Sequence, residues 1–141
     1  MPVEPGTASL VDSNVWLYAF IDQNEPQKLA RARQLIRQSE PVVSTQILNE
    51  VCYNLMRKAG FSGPRIGRVI RSFYARYVVM PVGKDTMLDA VSLRNRYSFS
   101  FWDSLVVAAA LKANCSILYS EDMQDGLLVE ARLRIINPFQ F

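Results

Sequence analysis

The chain has 141 residues, of which half are hydrophobic, and carries a formal net charge of +3 from 16 Lys and Arg against 13 Asp and Glu. A chain of this size is expected to form one domain, residues 1–141 with a core over about 9–139, without disulfides or a structural metal. It contains no histidine, which excludes Ser-His-Asp and Cys-His catalysis and removes the commonest transition-metal ligand. An enzyme built on this chain must use carboxylates, hydroxyls, amines or a hard metal ion.

Short apolar runs alternate with helical patterns in the first half of the chain. "SLV" predicts a short strand that ends at Asp12, and "SNVWLYAFID" then has the apolar spacing of a helix. Pro26 suits an early helical position, and "PQKLARARQLIRQ" predicts an amphipathic helix. "PVVS" predicts a second strand, after which Ser44 or Thr45 caps a helix that runs to about Lys58.

The second half continues the alternation. Gly60, Gly63 and Pro64 interrupt the helical pattern, and "RIGRVIRSFYAR" resumes it. "YVVMPV" predicts a strand, a helix follows over about 85–95, and "SFSFWDSLVVAAALKAN" predicts a strong helix with Ser100 as N-cap. "SILYS" and "LRIIN" predict two more strands. The alternation favours an α/β sandwich around a mainly parallel sheet.

Neither a membrane span nor a secretory leader is indicated. No window approaches about 18 uninterrupted apolar residues, and the start "MPVEPGTASLVDS" lacks the basic-then-apolar pattern of a signal peptide. Cys52 and Cys115 each lie in apolar company without zinc-site spacing, so we interpret them as small buried hydrophobic residues rather than a disulfide. These features favour a cytoplasmic protein.

Carboxylates recur where strands end and helices begin. Asp12 and Asp122 each follow an apolar run, and Asp103 lies in the first turn of a predicted helix. Because sites in open α/β sheets form beyond the carboxyl ends of the strands, we expect these three to share one edge. If they converge within ~6 Å, their repulsion raises at least one pKa or demands a cation. Mg²⁺ or Mn²⁺ suits such oxygen ligands and can activate water for attack at phosphorus.

Each acidic residue also has a purely structural interpretation. Asp12 could be an N-cap, Asp103 could complete the capping-box-like Ser100-x-x-Asp103, and Asp122 could belong to a turn. Glu50 flanks the apolar arc of its helix, so periodicity alone does not place it in a cleft and a solvated position is the simpler interpretation. Taken singly none is persuasive, and only Asp12, Asp103 and Asp122 together point to a site.

The sequence resembles the PIN domain family, metal-dependent ribonucleases that include the VapC-type toxins of bacterial toxin–antitoxin pairs. The resemblance rests on "LVDSNVWLYAF", "STQILNEVCYNLMRK", "SFWDSLVVAAALKANCSILYSEDMQDG" and "LRIINPF", whose order and spacing match over about 9–139. It implies a three-layer α/β/α sandwich with a mainly parallel central sheet. It also implies one or two Mg²⁺ or Mn²⁺ ions and hydrolysis of RNA phosphodiester bonds.

The resemblance assigns the catalytic and metal-binding roles to four residues, which are Asp12, Glu50, Asp103 and Asp122. Asn14 and Ser120 match positions where the family keeps a small polar residue beside the acidic ones, and their implied role is to orient carboxylates or water. Within "YSEDMQDG", Glu121 is expected to face solvent. Asp125 either joins the site or forms the turn before Gly126.

The implied RNA substrate needs a positive approach, since bare carboxylates repel phosphate. The helix "RIGRVIRSFYAR" offers one, because its apolar positions leave the opposite face to Arg65, Arg68 and Arg71. These arginines are candidate RNA contacts or an ordinary solvated face. The resemblance further implies a homodimer and, for toxin members, a small antitoxin whose tail blocks the acidic cleft.

Three other functions compete with a toxin ribonuclease. A PIN nuclease of RNA processing would have no antitoxin, and a non-catalytic PIN-like scaffold would bind RNA or protein. A phosphoryl-transfer enzyme could use Asp12 as an aspartyl nucleophile. That chemistry wants a second acid two residues on, where this chain has Asn14.

Overall fold

The computed structural model describes residues 8–141, which form six strands and six helices. The strands are β1 (Ala8–Val11), β2 (Val43–Ser44), β3 (Val79–Met80), β4 (Cys115–Tyr119), β5 (Leu128–Val129) and β6 (Leu133–Ile136). The helices are α1 (Ser13–Phe20), α2 (Pro26–Ser39), α3 (Thr45–Ala59), α4 (Gly63–Arg76), α5 (Lys84–Tyr97) and α6 (Phe101–Lys112).

The sheet is mainly parallel. β4 lies between β1 and β6 and is parallel to both, while β5 closes the edge antiparallel to β6. The parallel pair β2–β3 adjoins β1 through a bridge between Leu10 and Val42, whose N–H donates to the Ser9 carbonyl at 2.8 Å. The carboxyl ends of β1, β4 and β6 therefore meet at one edge.

Serine side chains cap the N-termini of three of the helices. The hydroxyls of Ser44, Ser62 and Ser100 accept from the backbone N–H three residues on, at 3.2, 3.3 and 3.1 Å, which satisfies donors that have no partner inside the helix. Ser44 and Ser100 were the predicted caps. Gly63 and Pro64 differ from prediction, because they form the first turn of α4 instead of preceding it. Proline is tolerated there since that N–H needs no helical partner.

Two strands differ from the sequence prediction. The strand predicted from "YVVMPV" is reduced to Val79–Met80 at the edge of the sheet, where Pro81 follows and cannot donate to a ladder. β5 was not predicted, because a two-residue strand has too little periodicity to register.

A single cluster of buried apolar side chains extends from Ala8 to Phe139. α6 contributes most, since every residue from Ser104 to Leu111 is buried. Cys52 and Cys115 are free and buried, which confirms their interpretation. Ile70 of α4 is exposed although it is apolar. Among residues 8–141, no helix is both long and apolar enough to cross a membrane.

Candidate active site

The carboxyl edge of the sheet is tied together at the point where Asp12 leaves β1. The Asp12 N–H donates to the Tyr119 carbonyl at 2.9 Å, and the Ser120 N–H donates to the Ile136 carbonyl at 3.0 Å. These bonds continue the parallel ladders one residue beyond β1 and β4. They bring the start of α1 next to the loop that follows β4.

Asp12 is the most buried acidic residue of this edge, with 7% of its surface exposed. Its Oδ1 accepts from the Ser13 N–H at 2.8 Å, so it caps α1, and its Oδ2 accepts from the Ser120 hydroxyl at 2.8 Å. Burial raises the pKa of Asp12 to about 6; the bonds from Ser120 and Ser13 oppose the shift, and the charges of Glu50 and Asp103 add to it. Asp12 therefore caps α1 and lies beside the other acidic residues at the same time, so its two interpretations are compatible.

Glu50 reaches the edge from α3. Its Oε2 accepts from the Ser13 hydroxyl at 2.7 Å, and its Oε1 accepts from the Gln46 amide at 2.8 Å. The position results from the packing of α3 against α1, which periodicity within α3 could not predict. Ser13 and Gln46 were missed by sequence reasoning; the available signal for Gln46 was its place one helical turn before Glu50.

Asp103 lies in the first turn of α6, where its N–H donates to the Ser100 hydroxyl at 3.1 Å. Burial is the main cause of a raised pKa for Asp103; Ser100 opposes it, and the charges of Asp122 and Glu50 add to it. The four predicted acidic residues therefore influence one another electrostatically, either directly or through Asp103.

Asp122 is held from two sides. The Asn14 amide donates to its Oδ2 at 2.8 Å, and its N–H donates to the Ser120 hydroxyl at 3.3 Å. Asn14 and Ser120 thus contact the carboxylates beside which they were predicted. The Asn14 Oδ1 is buried without a hydrogen-bond partner among the described residues, so this acceptor is free to bind a further group.

The prediction that Glu121 faces solvent is wrong. Its carboxylate accepts from the Tyr18 hydroxyl at 3.0 Å and forms an ion pair with Lys28. Lys28, on α2, also lies over the Tyr18 ring at 5.0 Å. The pair fixes the loop that carries Asp122 to the first two helices. Sequence spacing gave no signal for it, because Lys28 and Glu121 are 93 residues apart.

Asp125 belongs to the turn before Gly126 and does not join the acidic residues. Its Oδ1 accepts from the Asn137 N–H at 2.8 Å, which ties the loop after β4 to the segment after β6. The following Gly126 has a φ of 87°, a conformation that glycine adopts without strain. The carboxylate is thereby engaged away from the acidic residues.

The arginines predicted as RNA contacts are exposed on α4. The Arg65 guanidinium lies over the Phe61 ring at 3.7 Å. With Arg68 it lines a groove of about 300 Å³ that also includes Phe20 and Val69. Their exposure fits both an RNA contact and a solvated face.

The donors of the edge match a hard divalent cation. They are carboxylate, amide and hydroxyl oxygens, the ligands that Mg²⁺ and Mn²⁺ prefer. Within residues 8–141, no positively charged side chain is among the groups that lower the pKa of Asp12 or Asp103. As the side chains stand, no three acidic or cysteine residues within 8–141 are arranged as a metal-binding group, because several carboxylates turn toward neighbouring hydroxyls and amides. The chemistry of the site fits a cation, and its present rotamers do not form a coordination sphere.

The model of the PIN domain family matches residues 9–124, which is most of the chain. The chain belongs to the PIN domain family. A search of curated proteins gave no match.

Solved structures share this PIN fold. A toxin–antitoxin complex from Klebsiella pneumoniae matches with a TM-score of 0.70 at 15% identity, covering 95% of this chain and 100% of that one. VapC20 from Mycobacterium tuberculosis, a toxin that cleaves the sarcin–ricin loop, matches with 0.61 at 21% identity, covering 79% and 87%. VapBC2 from Rickettsia felis, bound to promoter DNA, matches with 0.63 at 13% identity, covering 92% and 99%. The resemblance to PIN domains and the predicted fold class are confirmed.

Proposed function

We propose that this PIN domain is a divalent-metal-dependent endoribonuclease whose active site is formed by Asp12, Glu50, Asp103 and Asp122. The observation that carries the proposal is the convergence of these carboxylates, from four separate segments, with no positively charged side chain among the described groups that shift the pKa of Asp12 or Asp103. A cation bound among the carboxylates would offset their repulsion and desolvation. Mg²⁺ or Mn²⁺ is that ligand, and RNA is the substrate.

The four acidic residues and their neighbours have different roles in the proposed reaction. Asp12 and Asp122 serve as ligands whose orientation is fixed by Ser120 and Asn14. A bound Mg²⁺ or Mn²⁺ neutralises the carboxylates, stabilises charge at the scissile phosphate and acidifies water. Glu50, supported by Ser13, accepts the proton of the attacking water. Asp103 completes the negative cluster from the start of α6.

The test compares Asp103→Asn with Asp85→Asn on a panel of structured RNAs and single-stranded DNA. Both variants remove a carboxylate from the first turn of a helix, α6 in one case and α5 in the other, so the comparison isolates the site. With Mg²⁺ or Mn²⁺ we expect RNA cleavage by the wild type and Asp85→Asn and none by Asp103→Asn or in EDTA. Full activity of Asp103→Asn, or cleavage that EDTA leaves unchanged, rejects the proposal. Absence of both cleavage and metal binding in the folded wild type favours the non-catalytic scaffold.

We further propose that the protein is the toxin of a type II toxin–antitoxin pair, a homodimer whose partner is a small antitoxin. Support comes from the structural similarity to the Klebsiella complex and to VapBC2. Exposed apolar side chains provide surface for such contacts, since patches of this kind mark protein interfaces. They lie on α3 and α4 (Tyr53, Met56, Ile70, Tyr74) and on α5 (Met87, Leu88, Val91).

Expression in a bacterial host separates the toxin from a PIN nuclease of RNA processing. We expect the wild type to arrest growth, Asp103→Asn to leave growth normal, and the product of a neighbouring small gene to restore growth. Sedimentation of the purified protein measures the dimer. Normal growth despite demonstrated RNA cleavage in vitro favours the processing nuclease. The RNA panel should include the sarcin–ricin loop, because the similar VapC20 cleaves it.

A further inference from the structure

A groove of about 700 Å³ opens beside the acidic cluster, between α3 and the start of α6. It is lined by Gln46, Asn49, Glu50, Asn54, Val82 and Trp102. Two of these connect it directly to the proposed active site. Glu50 belongs to both, and Trp102 immediately precedes Asp103 in the chain. A ligand in the groove therefore lies next to the carboxylates.

Trp102 presents a large aromatic surface to solvent. It is 64% exposed, whereas the chain's other tryptophan, Trp16, is 3% exposed and packs against Phe73 with ring centroids 4.7 Å apart. Trp102 contributes little to the core, although its own helix, α6, is buried from Ser104 to Leu111. An exposed indole at the mouth of a groove is available to stack on a flat ligand.

Amide side chains line the opposite wall. The Gln46 amide nitrogen donates to Glu50 Oε1 at 2.8 Å and to the Trp102 carbonyl at 3.5 Å. Its oxygen is buried and has no hydrogen-bond partner within residues 8–141. Asn49 is exposed beside it, and the Asn54 amide donates to the Glu50 carbonyl at 2.8 Å. Amides supply donors and acceptors in one plane, which is the pattern that matches the edges of nucleobases.

We propose that this groove binds one unpaired RNA base adjacent to the scissile phosphate, with the base stacked on Trp102 and its edge directed at Gln46 and Asn49. The inference rests on the proposed ribonuclease function and adds a base-binding subsite beside the scissile phosphate. RNA-binding proteins recognise splayed bases by stacking on aromatic side chains. Stacking is insensitive to base identity, since every base has a π-face, so the amides provide any preference among bases.

The binding test uses the Asp103→Asn background, in which RNA stays intact, with Mg²⁺ present and a short unstructured RNA that carries a fluorescent label. Trp102→Ala should weaken binding roughly 5- to 150-fold, the range expected for loss of one stacked base, and Trp102→Phe should retain most of the affinity. Phe141→Ala is the matched control, because Phe141 is an aromatic residue that is 76% exposed and does not line the groove. Its affinity should be unchanged.

Intrinsic fluorescence and an abasic RNA give an independent measure. RNA should quench the emission of Trp102, and only the buried Trp16 should remain, unquenched, in Trp102→Phe. A substrate with one abasic nucleotide beside the cleavage site should bind as weakly as normal RNA binds Trp102→Ala. Combining the two changes should cost nothing further, because both remove the same contact.

The outcomes separate the groove from the nuclease. If the wild type cleaves RNA and Trp102→Ala has the same KM and the same affinity for RNA, the groove inference is overturned and the nuclease proposal stands. Quenching and Trp102-dependent binding without any cleavage support the groove while the nuclease proposal fails. A Trp102→Ala protein that loses affinity for a protein partner and keeps its affinity for RNA overturns the inference in favour of a peptide site.

Discussion

Asp12→Asn should stabilise the metal-free protein at neutral pH while abolishing cleavage. Burial raises the pKa of Asp12 from 3.8 to about 6, a difference that corresponds to about 3 kcal/mol. Because the pKa is higher in the folded state, the folded chain binds more protons than the unfolded chain between these values. The free energy of unfolding contributed by Asp12 therefore falls as the pH rises through this window, and the full penalty is present above about pH 6.

Asparagine removes the penalty at every pH and alters two hydrogen bonds. Its side-chain oxygen can still accept from the Ser13 N–H, and its amide can donate to the Ser120 hydroxyl in place of the bond that Ser120 now donates at 2.8 Å. The net pKa shift already includes the stabilisation that these bonds give the charged form, so no separate subtraction is needed. We expect Asp12→Asn to raise the free energy of unfolding by about 3 kcal/mol at neutral pH. The gain should vanish near pH 4, where the wild-type carboxyl is protonated.

Urea denaturation in EDTA at about pH 7.5 and about pH 4.5 measures this difference, with cleavage assayed on the same preparations. Asp85→Asn serves as the control for removal of a negative charge at a helix start. Added Mg²⁺ should reduce the difference in unfolding free energy between Asp12→Asn and the wild type, since it binds the folded wild type and stabilises it. A variant that is less stable than the wild type at neutral pH, or a difference that does not change with pH, refutes the reasoning.

Three further predictions concern residues around the cluster. Ser120→Ala removes the hydrogen bond that lowers the pKa of Asp12, so the acid limb of the pH–cleavage profile should move to higher pH; an unmoved limb contradicts this. Lys28→Met breaks the ion pair with Glu121 and should lower the free energy of unfolding by at most about 1 kcal/mol. It should also lower kcat several-fold, and Lys28→Arg should restore kcat. An unchanged kcat in Lys28→Met removes Lys28 from any positioning role. Arg68→Gln should reduce the slope of log affinity against log salt by about 0.7 for single-stranded RNA, and an identical slope would leave Arg68 outside the RNA interface.

Local sequence was sufficient to predict where three of the acidic residues lie. The positions of Asp12 and Asp122 after apolar runs, and of Asp103 behind a serine cap, are properties of short segments, and the parallel sheet brings such segments to one edge. The structure has all three at that edge. Glu50 is different, because its place depends on how α3 packs against α1. Periodicity left it beside the apolar arc, and only the family resemblance selected it.

Contacts between distant, oppositely charged residues were beyond sequence reasoning. Glu121 was expected in solvent, yet Lys28 and Tyr18 reach it from α2 and α1. The same limit applies to the hydroxyl of Ser13, whose contact with Glu50 spans 37 residues. A single sequence without paired variation gives the residue types but not which side chains meet.

The hydrogen bonds that orient the carboxylates also determine when, during synthesis and folding, the acidic cluster can form. Those from Ser120 to Asp12 and from Asn14 to Asp122 each join residues 108 positions apart, and β4, which precedes Ser120, is an interior strand of the sheet. Contacts of such long range close late, after shorter-range structure has formed. During translation, the cluster therefore stays incomplete until Ser120 and Asp122 have been synthesised. The proposed active site cannot form before that point.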